Sequence, residues 1–340
     1  MERFPLIARL LIGSVLAALA LLFLWLTIQV DLVLFGGLLL AAFLRHAAQN
    51  ASAKAALPLG WSLCAVILAI AITILGLLWL AGSALADQAA FLSQRLPKDI
   101  AEITQWISQS PIGQNLVSKF SGHNLFNIMS AKLGDIAGIL WSVTEAIAAL
   151  VVIMVIGIYV AADVVTYRTG LLRLIPPARR SRAGAIMDEA AETLWYWVLG
   201  RLFSMVVLGT LTGIGLWLIG VPAALALGVL AGLLMFVPYI GTVASALPSI
   251  ILAFVISGRT ALYAIGLYII VHALEGYLVV PLVQRRATHL PPALGLAGQL
   301  ILGVLAGVVG LLFATPLLLA IMVLVRDVYV EDALGDRGRT

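Results

Sequence analysis

Charge is scarce in this chain. Only 11% of its 340 residues are Asp, Glu, Lys or Arg, whereas a soluble globular domain carries about 25%. Half the usual supply cannot cover a water-facing surface, which excludes an ordinary soluble fold. Cysteine is nearly absent too. Cys64 stands alone inside an apolar run, so the chain has neither an intrachain disulfide nor a Cys-based zinc site. The four histidines, His46, His123, His272 and His289, are far apart and show no metal-ligand spacing. There is no Walker loop, no Gly-x-Ser-x-Gly and no His-Glu-x-x-His, so no catalytic residue, metal site or cofactor is indicated.

What is present is hydrocarbon. Hydrophobic residues make up 63% of the chain and the mean hydropathy is +1.12. A pI near 9.4 could point to nucleic acid. The basic residues, however, sit beside apolar runs, which is the pattern of topology signals at an anionic leaflet. The expected partner is a lipid bilayer, with no nucleic acid.

Leu6 to Val30 reads as a full span. It is longer than a secretory h-region and lacks a clean cleavage site, so it is expected to be retained. Asp31 opens a shorter stretch, Leu32 to Leu44, closed by Arg45 and His46. Roughly 13 residues cover about 20 Å of a hydrocarbon core about 30 Å thick, as in a tilted partial span or a hairpin arm. Leu57 to Leu85 is a third span. From Asp87 to Asp135, Leu92, Leu96, Ile100, Ile103 and Ile107 recur at helical steps, with Pro97 and Ser110-Pro111 suited to helix starts. Ile136 to Ala162 and Trp197 to Ile219 span again, on either side of a basic segment holding Arg168, Arg173, Arg179, Arg180 and Arg182. Beyond them, Pro222 to Val237, Ile240 to Ile256, Ala261 to Val283, Pro292 to Val309 and Leu311 to Val325 are separated by punctuation instead of polar loops.

The expected fold is an all-α polytopic membrane protein with about eight transmembrane helices, some short or re-entrant. N-terminal transmembrane helices occupy 1–86 and amphipathic extracytoplasmic helices 87–135. A transport core fills 136–330 with a cytoplasmic basic loop at 163–195, and a cytoplasmic tail follows at 331–340. If the N-terminus is cytoplasmic and spans alternate, fourteen of the 20 Lys and Arg fall inside and five outside, with Arg201 at the edge of a span. That bias places both termini in the cytoplasm.

Function is expected where polar groups interrupt the apolar spans. Phe236-Val237-Pro238-Tyr239-Ile240-Gly241 breaks a region with hardly a polar residue. It is either a break at membrane depth, where transporters place substrate sites, or a tight loop at the surface. Glu275 lies within Ala261 to Val283 with no basic residue in the same span, and His272 shares its helix face. Pro281 lacks an N–H, which leaves the Tyr277 carbonyl without its helical partner. Desolvation disfavours a charged carboxyl, so Glu275 could bind and release a coupling proton. Its structural alternative is burial against a donor such as Arg201. Arg201 could also snorkel to the interface. Gln299, like Thr144 and Glu145, is either a cavity residue or an interhelical hydrogen bonder. Gly228-x-x-x-Gly232 and Gly303-x-x-x-Gly307 are helix-packing spacings.

Three runs resemble one bacterial family: LLRLIPPARRSRAGAIMDEAAETL, LWLIGVPAALALGVLAGLLMFVPYIG and LEGYLVVPLV. They are similar to the autoinducer-2 exporter family of inner-membrane proteins, with Pro238 and Gly241 at its Pro-x-x-Gly and Glu275 and Pro281 at its Glu and Pro. Gly220, Pro222 and Pro176 also match, as do Pro292, Gly303, Gly307, Gly310 and Pro316. The chain departs from the family at Leu290-Pro291-Pro292, where the family has His-Pro, and at Gly200-Arg201, where it has Gly-Gln. The resemblance implies export of a small polar molecule such as autoinducer-2, a role in quorum sensing, or sodium/proton exchange by an antiporter. It also implies a homo-oligomer. A scaffold without transport is the remaining alternative.

Overall fold

An apolar segment without water to bond must satisfy its backbone internally, and a helix does so. The computed structural model is helical throughout most of the residues it describes, 3–108, 136–279 and 290–335. Ser110-Pro111 and Pro281 lie outside the described residues. So do the side chains of Leu92, Leu96, Ile100, Ile103, Ile107, Thr144 and Glu145.

Helix α1 runs unbroken over Arg3–Ala55 and α2 over Leu59–Ser108. The boundary expected at Asp31 is therefore absent. The carboxylate of Asp31 accepts a 2.8 Å hydrogen bond from Thr27 Oγ1 one turn earlier. No proline interrupts the stretch, so a single charge with a local donor stays inside the helix. At 1.5 Å per residue α1 is about 80 Å long, more than twice the hydrocarbon thickness. α2 likewise passes from the third span into the next segment, and Pro97 lies inside it instead of at a helix start.

α3 (Ile136–Ala162) packs along α1 through glycines. A Cβ on Gly37 would lie 2.5 Å from Ile156 Cγ2, and one on Gly157 would lie 2.8 Å from Leu40. After Ala162 the chain bends by 85° into α4 (Val164–Arg173), whose first turn is capped by Asp163 accepting from the Thr166 amide at 3.2 Å. The long α5 (Arg180–Ile219) is polar in its first third. There Arg182 pairs with Glu331 and Asp332 of a C-terminal π-helical segment, Val325–Ala333, while Glu189 pairs with Arg326. Arg168 of α4 joins the same end through Asp188 at 2.7 Å. α5 stops at Gly220, whose φ of +82° lets Val221 N–H close on the Leu216 carbonyl at 2.9 Å.

Two helical hairpins build the rest. The first joins α6 (Ala224–Leu234) to α7 (Ile240–Ile256), and α8 (Gly258–Leu274) follows it. α6 lacks a cap of its own, and Gln88 of α2 supplies one by accepting from Ala226 N–H at 2.9 Å. α6 lies against α5 at glycine distance. A Cβ on Gly228 would meet Gly213 Cα at 2.6 Å, and one on Gly232 would meet the Met205 carbonyl at 2.7 Å. The Gly228-x-x-x-Gly232 spacing is thus used for close packing. α7 and α8 are joined by a buried latch in which Tyr268 Oη donates to the Ser245 carbonyl at 2.9 Å beside Ser249.

The second hairpin lies within α9 (Pro292–Leu324), which breaks at Ala306 and at Gly307, φ +60° and ψ −137°. Gln299 Nε2 donates to Thr315 Oγ1 at 3.3 Å. In a straight helix those residues would stand about 24 Å apart, so the two arms fold back on each other. Gly303 meets Leu311 and Gly298 meets Leu318 across the pair. Gly307 therefore makes the turn and is not half of a packing motif. Among the described residues five helices are long and apolar enough to cross a membrane, or six if the bent α3–α4 pair counts as one span. The expected all-α polytopic architecture is present. Its segmentation differs, because the first two expected spans are one helix.

Candidate functional site

Arg201, Glu275 and Met235 come from three separate elements and meet at one point. α5 carries Arg201 one turn after Trp197, whose ring packs edge-on against Phe236 at 5.5 Å. Glu275 follows the last residue of α8, where the backbone widens into a π-helical turn over Glu275–Val279. Such turns mark functional sites more often than chance. Arg201 Nη1 lies 3.3 Å from Glu275 Oε1 and donates to the Met235 carbonyl at 3.4 Å. His272 Nδ1 stands 3.4 Å from Glu275 Oε2. The side chains of Arg201 and Glu275 are 11% and 10% exposed, whereas that of His272 is 56% exposed. The pair is thus nearly shut from solvent, with the imidazole as its open side.

The break between α6 and α7 lies beside this pair. Met235, Val237 and Pro238 are buried, which favours a break inside protein over a loop exposed at the surface. Gly241 is required sterically, since a Cβ there would lie 1.9 Å from the Leu234 carbonyl oxygen. Tyr239 is the site residue that sequence reasoning passed over. It has φ 63° and ψ −57°, and its ring is packed near Gly295 at the start of the second hairpin. Only the interrupted apolar run hinted at it, because a positive φ at tyrosine leaves no signature in composition or periodicity.

The expected residues divide accordingly. Glu275, His272, Arg201, Pro238 and Gly241 are brought to one end of the core. Tyr277 is 83% exposed, and the structure gives it no part in the pair. Gln299 lies in the second hairpin, one helical turn after Gly295, bonded to Thr315 and fully buried. Glu275 was expected either as a proton-exchanging carboxyl or as one buried against a donor such as Arg201, and Arg201 does reach it from α5. Among the described residues no group of His, Cys, Asp and Glu could hold a metal ion. A cleft of about 970 Å³ between α5 and α6 lies one turn from Arg201 at Met205, lined by Gly209, Gly213, Trp217, Gly228 and Gly232. None of the residues lining it is ionisable, so the cleft and the ion pair differ in chemistry.

Multi-pass helices, two hairpins that turn back within the core and a buried ion pair at one of those turns define a polytopic membrane protein built like a transporter. The chain belongs to the AI-2E transporter family, whose sequence profile matches residues 11–329. YueF of Bacillus subtilis, described as a transport protein, is 30% identical over 235 residues, 66% of this chain and 61% of its own length. YrrI of the same organism is 28% identical over 158 residues, 46% of this chain and 45% of its own. PerM of Escherichia coli, described as a permease, is 28% identical over 148 residues, 43% of this chain and 42% of its own. The matched region thus spans between two fifths and three fifths of these relatives.

Proposed function

We propose that the chain exports a small polar molecule such as autoinducer-2 across a bacterial inner membrane, with the Arg201–Glu275 pair in its path. The observation that carries this reading is the pair itself. Removing two ions from water costs several kcal/mol each, a cost that Coulomb attraction offsets only in good geometry. At 3.3 Å, with one further bond to Met235, the geometry is modest. A solute with its own donors and acceptors can replace either half, which links passage of the solute to opening of the pair. With no ATP-binding motif in the sequence, the drive is an ion gradient or downhill flux.

The contact between His272 and Glu275 favours a second reading, sodium/proton exchange by an antiporter, because it sets an imidazole against a carboxylate at the open side of the site. We further assign the basic segment 163–195 and the C-terminal tail to the cytoplasm, since Arg182 and Arg326 tie them to one end of the molecule. Arg45 reaches the Ala161 carbonyl at that same end. Placing the N-terminus there as well needs a reversal near Asp31, and α1 has none, so that half of the expected topology is not carried forward. Homo-oligomer assembly and a role in quorum sensing belong to the same proposal.

Proteoliposomes loaded with autoinducer-2 test it, with efflux normalised to folded protein. Wild type is expected to release the solute, and Glu275→Gln to lose release while keeping its fold. Equal efflux from both would remove the pair from the mechanism. Sodium-driven pH change in vesicles that show no efflux would select the exchanger. Absence of both activities would leave the scaffold.

A further inference from the structure

Tyr239 is held in a conformation that a bulky residue avoids. Three non-glycine residues among those described have positive φ: Ala56, Ala223 and Tyr239. Ala223 is ordinary left-handed backbone at φ 57° and ψ 29°. Tyr239, at φ 63° and ψ −57°, closes a γ-turn in which Ile240 N–H donates to the Pro238 carbonyl at 2.7 Å. This hand of γ-turn is the rare and strained one. Strain of this kind survives only where the surroundings over-determine it, and it concentrates at functional sites. Here the surroundings are Pro238 before the turn, Gly241 locked on the Leu234 carbonyl after it, and Arg201 bonded to Met235 at its start.

The twist aims the ring outward. Met235, Val237 and Pro238 are buried, while Tyr239 is 41% exposed. Its Cε2 lies 3.6 Å from the position a Cβ would take on Gly295, so the ring edge reaches the base of the second hairpin.

We propose that Tyr239 is a solute-contacting residue of the transport site, held by its strained turn at the mouth between the two hairpins, beside the Arg201–Glu275 pair. It supplies an aromatic face and a hydroxyl to the passing molecule, and selects solutes that offer an apolar face along with polar groups. This rests on the transport reading above, and its test is independent of flux. The full-length protein carrying Cys64→Ser and Tyr239→Cys is reconstituted into vesicles. It is then treated with two methanethiosulfonate reagents of similar size, one bearing a trimethylammonium and one a sulfonate. Both react only with a thiolate in water.

Both reagents are expected to modify position 239. Adding Glu275→Gln leaves Arg201 without its counter-charge and should shift the ratio of rates about tenfold toward the anionic reagent. No modification by either reagent would put the side chain in lipid or protein and overturn the proposal. So would a ratio that Glu275→Gln leaves unchanged. Hydroxyl-radical footprinting of the unmodified chain asks the same question without a substitution that could impair folding. Tyr239 should be oxidised faster than Tyr263, a 57% exposed residue on α8, and a slower rate at Tyr239 would overturn the proposal. If labelling succeeds where autoinducer-2 efflux fails, the site stands and only the assigned solute falls.

Discussion

The two hairpins solve one problem by different chemistry. Each must reverse the chain among apolar neighbours, and each returning arm carries a glycine against a carbonyl of the entering arm. Gly241 faces Leu234 and Gly310 faces Leu302, both with a would-be Cβ at 1.9 Å. The turns themselves have little in common. The first contains a strained tyrosine, and its start is tethered at the Met235 carbonyl by a charged side chain from α5. The second is a relaxed glycine beside Ala306, which packs in a cluster with Leu32, Trp197 and Phe313. A turn held by packing has one stable arrangement. A turn held by an ion pair can be released by anything that takes either charge, so the first hairpin is the element suited to movement and the second to support.

The largest effect should come from cutting the tether. Arg201→Leu leaves Glu275 buried without a cation, which costs about 3–5 kcal/mol when one partner of such a pair is removed. Thermal unfolding in detergent should show it as a large fall in Tm. Replacing both, Arg201→Leu with Glu275→Leu, should recover most of that stability, because the uncompensated charge is gone, yet restore no transport. A single variant as stable as wild type would erase the contrast between the hairpins.

The shared glycines should respond alike. Gly241→Ala and Gly310→Ala each push a methyl into backbone, where no side chain can swing aside. Overpacking of this sort costs about 1–3 kcal/mol. The measurement is Tm for each, side by side. A clear difference between them would mean that one arm shifts more readily than the other, and the more tolerant hairpin should be the first.

Both turns should favour glycine over alanine, but only the first should gain by a change from the residue it has. Glycine relieves a positive φ, so Tyr239→Gly should be more stable than Tyr239→Ala by about 1 kcal/mol, although both lose the ring. At the second turn the same preference is already met by Gly307. Gly307→Ala forces a side chain into a φ/ψ region open essentially to glycine alone, and should lose about 1–3 kcal/mol. Should Tyr239→Gly prove no better than Tyr239→Ala, the strain assigned to the first turn is not there.

Sequence alone revealed the bilayer and the helical class, and it singled out most of the residues that meet at the first hairpin, for identifiable reasons. Composition decides solvent, so a chain with little charge could only be a membrane protein. Pro238 and Gly241 were legible because punctuation in an apolar run has few uses, and Glu275 because charge in a span is costly. The partner of Glu275 was named only as a possible donor, since contact between residues 74 positions apart depends on how α5 and α8 cross. Asp31 misled for the opposite reason. A charge normally marks a boundary, but a threonine one turn earlier bonds it and the helix continues. Gly209 and Gly213 repeat the four-residue spacing of Gly228 and Gly232 and face them directly, so that contact was readable and went unread.

The smallest effect tests whether the second hairpin carries function at all. Gln299 is fully buried, its Nε2 bonded to Thr315 at 3.3 Å and its Oε1 without a partner among the described residues. An interhelical hydrogen bond within a membrane averages about 0.6 kcal/mol. A buried polar atom left unsatisfied costs about 1–3 kcal/mol. These terms oppose each other, and the second is at least as large. Thr315, once alone, can turn its hydroxyl to the carbonyl of Leu311 on its own helix. Gln299→Leu should therefore unfold within about 1 kcal/mol of wild type, or slightly above it, with transport unchanged. A supporting hairpin requires that outcome. If instead transport falls while Tm holds, the free amide oxygen has a ligand during the cycle, and the second hairpin belongs to the pathway along with the first.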